Sequence, residues 1–158
     1  MSRALSLLVL ALLSGCGFQM QGALDQPPGM ERTYIDTVER NSLFHREFRR
    51  QLLAAGVELV DTPEEATAIF LITADSTGQR VLSVSARNVP TEYEVFYTVE
   101  YSLVSGNQTL LAPQDLTFTQ DYTWDETLVL GKAREEDLLR DAIVSNLVRT
   151  ILKQISSL

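Results

Sequence analysis

The longest regular signal in the chain is an alternation. Tyr93, Val95, Tyr97, Val99, Tyr101 and Leu103 take every second position, with Glu92, Glu94, Thr98, Glu100 and Ser102 between them. Successive strand side chains point to opposite faces, so this pattern predicts a half-buried antiparallel strand. Phe96 is the one apolar residue on its polar side. Ser105-Gly106-Asn107 predicts a turn, and a second strand of the same kind follows: Leu116, Phe118, Tyr122 and Trp124 alternate with Thr117, Thr119, Asp121 and Thr123. Upstream, Thr33–Glu39 alternates β-branched or aromatic residues with polar ones and reads as a strand. Thr67–Ala74 is a nearly continuous apolar run, the pattern of a strand buried on both faces. Asp75–Gly78 reads as either a bulge or a turn, after which Arg80–Ala86 resumes as strand. Arg87–Thr91 carries Asn and Pro and reads as a hairpin connection.

Two segments change period. Phe44, Phe48 and Leu52 recur every four residues, which predicts an amphipathic helix over Asn41–Ala55. Asn41 or Ser42 is its cap, and Gly56 stands just past its end. Glu58–Ala66, interrupted by Pro63, reads as a connection. After a loop at Asp125–Gly131, a long helix is expected over about Arg134–Ser156. Val144, Leu147, Val148, Ile151, Leu152, Ile155 and Leu158 form one stripe along it. Leu138, Leu139, Ala142 and Ile143 fall on another arc, which covers the sheet edge or faces a second partner. Glu135, Glu136 and Asp137 read as anions at the positive end of the helix dipole.

The predicted order is strand–helix–strand–strand–strand–helix. A strand–helix–strand start favours a parallel crossover, and short turns favour antiparallel pairing afterwards. The expected fold class is α+β: a two-layer sandwich with a mixed four-stranded sheet and two helices on one face, forming a single domain over 32–158. The length of 158 residues and 45% hydrophobic content suit one core.

The net charge of −8 argues against a nucleic-acid binder, which needs a basic face to displace phosphate counterions. One Cys excludes an internal disulfide, and one His excludes a His-rich metal site. His45 lies among Arg46, Arg49 and Arg50 and reads as a solvated side chain. Glu64/Glu65, Glu92/Glu94 and Asp125/Glu126 fall on loops or the polar strand face, where carboxylates stay ionised. A general acid needs a desolvated pocket instead. With no nucleophile elbow, phosphate-cradling glycine loop or metal-ligand cluster in the sequence, an enzyme is not expected and no catalytic residue is assigned.

Met1–Arg3 is a short, positively charged start, followed by the run Ala4–Leu13, apolar except for Ser6. Ten helical residues rise only ~15 Å, half a hydrocarbon core, so this run is a secretory signal and not a membrane span. It leads into Leu13-Ser14-Gly15-Cys16, which resembles the bacterial lipobox. The alternative is an ordinary signal followed by a core cysteine. The lipobox reading makes 1–15 a lipoprotein signal peptide and Cys16 the acylated first residue of the processed chain. Residues 16–31 are then an anchor and spacer, with Pro27, Pro28 and Gly29 opposing a helix. No cofactor is expected beyond the covalent lipid at Cys16. Gly17, by analogy with lipoprotein sorting, points to the outer membrane.

Gly15-Cys16-Gly17-Phe18 followed by Gly22 resembles the start of the LPS-assembly lipoproteins, the LptE family. Arg80–Val95 resembles that family's central hairpin, a basic turn followed by a Glu-Tyr strand. Element order and lengths match as well. The resemblance implies an outer-membrane, lipid-anchored protein on the periplasmic side. It would plug the lumen of the β-barrel LptD, assist its assembly, and contact lipopolysaccharide on its way to the outer leaflet. For phosphate on lipopolysaccharide the resemblance points to Arg87 at the hairpin turn and Lys132 in the loop before the last helix, with Arg134 nearby; each is otherwise a plain surface cation. The competing reading is a lipid-anchored adaptor of another envelope machine that binds no glycolipid. A lipid-anchored hydrolase is disfavoured by the lack of a nucleophile–base pair.

Overall fold

The computed structural model describes residues 28–158. Its elements run β1 (Arg32–Thr37), α1 (Leu43–Ala54), β2 (Glu58–Leu59), a 3-10 turn (Pro63–Glu65), β3 (Ala68–Val84), β4 (Pro90–Ser105), β5 (Gln108–Thr123) and α2 (Val129–Ile155). The sheet order is β2-β1-β3-β4-β5. β1 is parallel to β2 and β3, and β3, β4 and β5 are antiparallel. The α+β class, the two layers and the mixed sheet are as the sequence predicts. The sheet has five strands rather than four. The extra one, Glu58–Leu59, lies in the expected connection and pairs with Arg32 and Thr33 at the sheet edge.

β4 buries its alternating face. Val95, Tyr97, Val99, Tyr101 and Leu103 are all in the core beneath the helices. Leu116, Phe118 and Tyr122 of β5 stand opposite Val99, Tyr97 and Tyr93 on the same face. α1 lays Phe44, Phe48 and Leu52 onto this layer, with the Phe48 ring 4.2 Å from that of Phe70 on β3. The Ser42 side chain accepts from the His45 amide and caps the helix, and Gly56 follows it with φ +82, the left-handed conformation that suits glycine. α2 buries Val144, Leu147, Val148, Ile151, Leu152 and Ile155, the predicted stripe, together with Ile143. Leu158, at the end of that stripe, is exposed. Each of these buried aliphatic or aromatic side chains contributes roughly 1.5–3 kcal/mol relative to exposure.

β3 is one strand, continuous through Asp75–Gly78. Its register shifts fall at Ile72/Ala74 and around Ser83, so that segment is neither a turn nor itself the bulge. Gly78 would weaken a strand, but Phe96 stands opposite it on β4. A Cβ at Gly78 would lie 2.8 Å from the Phe96 ring, so the ring sits directly over the glycine. That contact explains the one apolar residue on the polar side of β4.

The sheet face away from the helices carries Glu92, Glu94, Thr98 and Glu100 of β4 and Asp115, Thr117, Thr119 and Asp121 of β5. The paired positions run across from Glu92↔Thr123 to Glu100↔Asp115. No layer covers this face among the described residues. Also among the described residues, no helix is long and apolar enough to cross a membrane.

Candidate functional site

The hairpin between β3 and β4 presents Arg87 at its tip. Ser85 N donates to the Val89 carbonyl at 2.8 Å, Asn88 N to the Ser85 carbonyl at 2.9 Å, and Val89 N to Ser85 Oγ at 3.2 Å. The chain reverses because Asn88 takes φ +59, a left-handed conformation that asparagine tolerates better than other side chains. Arg87 is exposed there, and among the described residues it makes no ion pair.

Lys132 is placed differently from the sequence expectation. α2 begins at Val129, five residues early, so Lys132 lies in its first turn rather than in a loop. Its Nζ is 2.7 Å from Glu135 Oε2, and its side chain is only 17% exposed. The early start also moves Glu135, Glu136 and Asp137 out of the first turn, which holds no acidic residue. These anions act through partners instead: Glu135 binds Lys132, and Glu136 pairs with Arg140 while accepting from the Tyr122 hydroxyl. The Trp124 amide donates to the Thr91 carbonyl at 2.8 Å and ties the lead-in of α2 to the base of the hairpin. Arg87 and Lys132 therefore stand at the same end of the sheet, with the exposed Arg134 one residue beyond Ala133 on α2.

That end also exposes apolar side chains that the sequence reading passed over. Val81, Leu82, Val84 and Val89 of the hairpin and Leu128, Val129 and Leu130 at the start of α2 are all exposed, Leu130 at 88%. Alternation along β3 breaks down in this stretch, and the irregular register around Ser83 removes the period that would have flagged it.

His45 is not simply solvated. It is half-buried against a cavity beside α1, and its Nδ1 is buried with no hydrogen-bond partner among the described residues. At Asp125 the Thr127 hydroxyl and amide hold the carboxyl below the usual carboxylate range, which keeps it ionised and unsuited to act as an acid. The described residues contain no group of three His, Cys, Asp or Glu side chains placed to hold a metal ion. Cys16 and Gly22 lie outside the described residues.

Taken together, the fold is a two-layer α+β domain with cations and apolar side chains on a hairpin tip and a helix start, and a broad polar sheet face. The chain belongs to the LptE family, described as lipopolysaccharide-assembly, whose sequence profile matches residues 30–155. It is similar to the LPS-assembly lipoprotein LptE of Yersinia enterocolitica, 27% identical over 155 residues covering 92% of this chain and 73% of that protein. The LPS-assembly lipoprotein LptE of Pectobacterium atrosepticum is 22% identical over 151 residues, covering 92% and 81%. Among solved structures, an uncharacterized lipoprotein B from Nitrosomonas europaea superposes with a TM-score of 0.73 at 27% identity, over 89% of this chain and 91% of that one. The rare lipoprotein B of Shewanella oneidensis shares the fold at a TM-score of 0.70 and 23% identity, over 80% and 94%.

Proposed function

We propose that this chain is an outer-membrane lipoprotein, acylated at Cys16 after removal of residues 1–15, that plugs the LptD β-barrel and assists its assembly. In that position it takes part in lipopolysaccharide transport to the outer leaflet. The observation that carries this reading is the uncovered sheet face. Glu92, Glu94, Thr98, Glu100, Asp115, Thr117 and Asp121 form a polar surface across two long strands, on a domain of the LptE family. Barrel interiors are polar, so such a face suits a lumen wall, while the helix layer keeps the plug rigid from behind.

The hairpin end supports the ligand side. Lipopolysaccharide joins phosphates to acyl chains. Arg87 offers a guanidinium fork to phosphate, and the exposed Val84, Val89 and Leu128 offer apolar surface beside it. Lys132 is the second phosphate contact, reached by exchanging Glu135 for the ligand. The test is affinity purification of the tagged chain from outer membranes in mild detergent. LptD should co-purify; a chain that runs alone from membranes containing LptD overturns the plug.

A further inference from the structure

α1 turns a basic face to the parallel edge of the sheet. His45, Arg46 and Arg49 lie three or four positions apart, or adjacent, on one side of this helix. Arg40 joins them from the segment between β1 and α1. Together they line a cavity of about 280 Å³ whose other wall is β1 and the chain just after β2. Arg50, next in sequence, turns away and pairs with Glu47 at 2.6 Å.

The charges around this cavity are not balanced. Among the described residues no carboxylate lies within ion-pair distance of Arg40, Arg46 or Arg49. The lining carries one carboxylate, Asp61, against three guanidiniums. This clustering occurs in a chain of net charge −8, where cations have many carboxylates available elsewhere. His45 adds a buried Nδ1 without a partner. Burial first, and then the charges of Arg49 and Arg40, hold its imidazole below the usual range, against a hydrogen bond to the Arg40 backbone and the weaker pull of Asp75. Guanidiniums carry only donors, and their planar forks match the oxygens of a tetrahedral oxyanion.

We propose that this cavity binds a phosphate group, held by Arg40, Arg46 and Arg49, with the His45 ring lining the site beside it. The site is separate from the hairpin cations. From Ile72, opposite the end of β1, β3 continues to Val84 beside the tip, ~40 Å at ~3.3 Å per residue. The proposal therefore does not rest on the lipopolysaccharide reading. The phosphate comes either from a lipid headgroup or from the free ion.

The chain has a single histidine, so the His45 ring protons can be followed by NMR in the full-length protein in non-ionic detergent. Inorganic phosphate, added at constant pH and ionic strength, should move these resonances along a saturating curve, and sodium chloride should not. The R46A/R49A double variant should weaken the apparent affinity about tenfold or more, while R50A binds as the unchanged protein does. Circular dichroism confirms that each variant is folded. Dihexanoyl phosphatidic acid, a soluble phosphomonoester lipid, forms the second arm. Binding about tenfold tighter than inorganic phosphate identifies a lipid headgroup as the source, and equal binding identifies the free ion. No saturable shift with either probe, the same shift with chloride, or full affinity in the folded double variant overturns the proposal.

Discussion

Tyr97 donates its hydroxyl hydrogen to Asp75 Oδ1 at 2.5 Å and accepts the Phe44 amide at 3.2 Å. Phe44 is the second residue of α1, and its amide has no acceptor within the helix. A phenol from β4 thus completes a helix start and joins it to a carboxylate on β3. Burial, and then the Asp75 hydrogen bond and charge, push the Tyr97 phenol well above its ordinary value. Replacing Tyr97 with Phe leaves both partners without the hydroxyl. The expected loss is ~2–3 kcal/mol of unfolding free energy in urea titration. In a double-mutant cycle the Asp75→Ala and Tyr97→Phe losses should sum to more than the loss in the double variant. A Tyr97→Phe protein as stable as the original would show that the network adds nothing.

Alkaline pH should weaken the fold through the buried phenols. Burial, then the Glu136 charge, pushes Tyr122 up to about 12, and Tyr97 and Tyr101 are also raised. The folded state therefore keeps protons that the unfolded chain releases near pH ~10. The stabilisation is fully present below that pH and is lost as pH climbs from there towards 12. Urea midpoints taken across this range should fall with rising pH, and Tyr122→Phe should flatten part of the slope. A midpoint independent of pH over that interval would contradict the burial of these hydroxyls.

The contact between Phe48 and Phe70 fastens α1 to the sheet. Phe48 is fully buried, so Phe48→Ala removes a ring and leaves a cavity. The expected cost is ~3–5 kcal/mol, read as a lower urea midpoint. Leu53→Ala, on the exposed side of the same helix, should change stability by no more than ~0.5 kcal/mol. Equal effects at the two positions would mean that α1 does not pack as described.

Arg87→Asp should reduce lipopolysaccharide binding by the purified protein about tenfold, with the melting temperature unchanged, because the side chain is exposed at a turn. Lys132→Ala should have the smaller effect, since Glu135 already engages its ammonium. Surface-immobilised lipopolysaccharide gives both values. Unchanged binding by Arg87→Asp removes that residue from the contact.

The strands and helices were legible where burial imposes a strict period. β4 shows twelve alternating positions, and the α2 stripe repeats over three turns, so their core faces follow directly. β2 was not legible because two residues carry no period; pairing with Arg32 and Thr33 defines it. The start of α2 was missed because Leu128 provides no side-chain cap and Gly131 reads as a loop residue. For the same reason the local pattern places Lys132 in a loop, although it lies within α2. Continuity of β3 past Gly78 depends on a ring from the neighbouring strand, which no local pattern records. Arg87 was placed correctly at the hairpin tip because Asn88 marks the turn. The basic cavity was only half visible. The sequence shows arginines beside His45, but not that Arg40 joins them from outside the helix while Arg50 leaves for Glu47.

The plug is tested most directly by photo-crosslinking in cells from Thr117, an exposed position in the middle of the uncovered sheet face, opposite Thr98. With a photoreactive side chain there, the account predicts one dominant adduct containing LptD. An unmodified chain after irradiation, or adducts only with other envelope proteins, would contradict it.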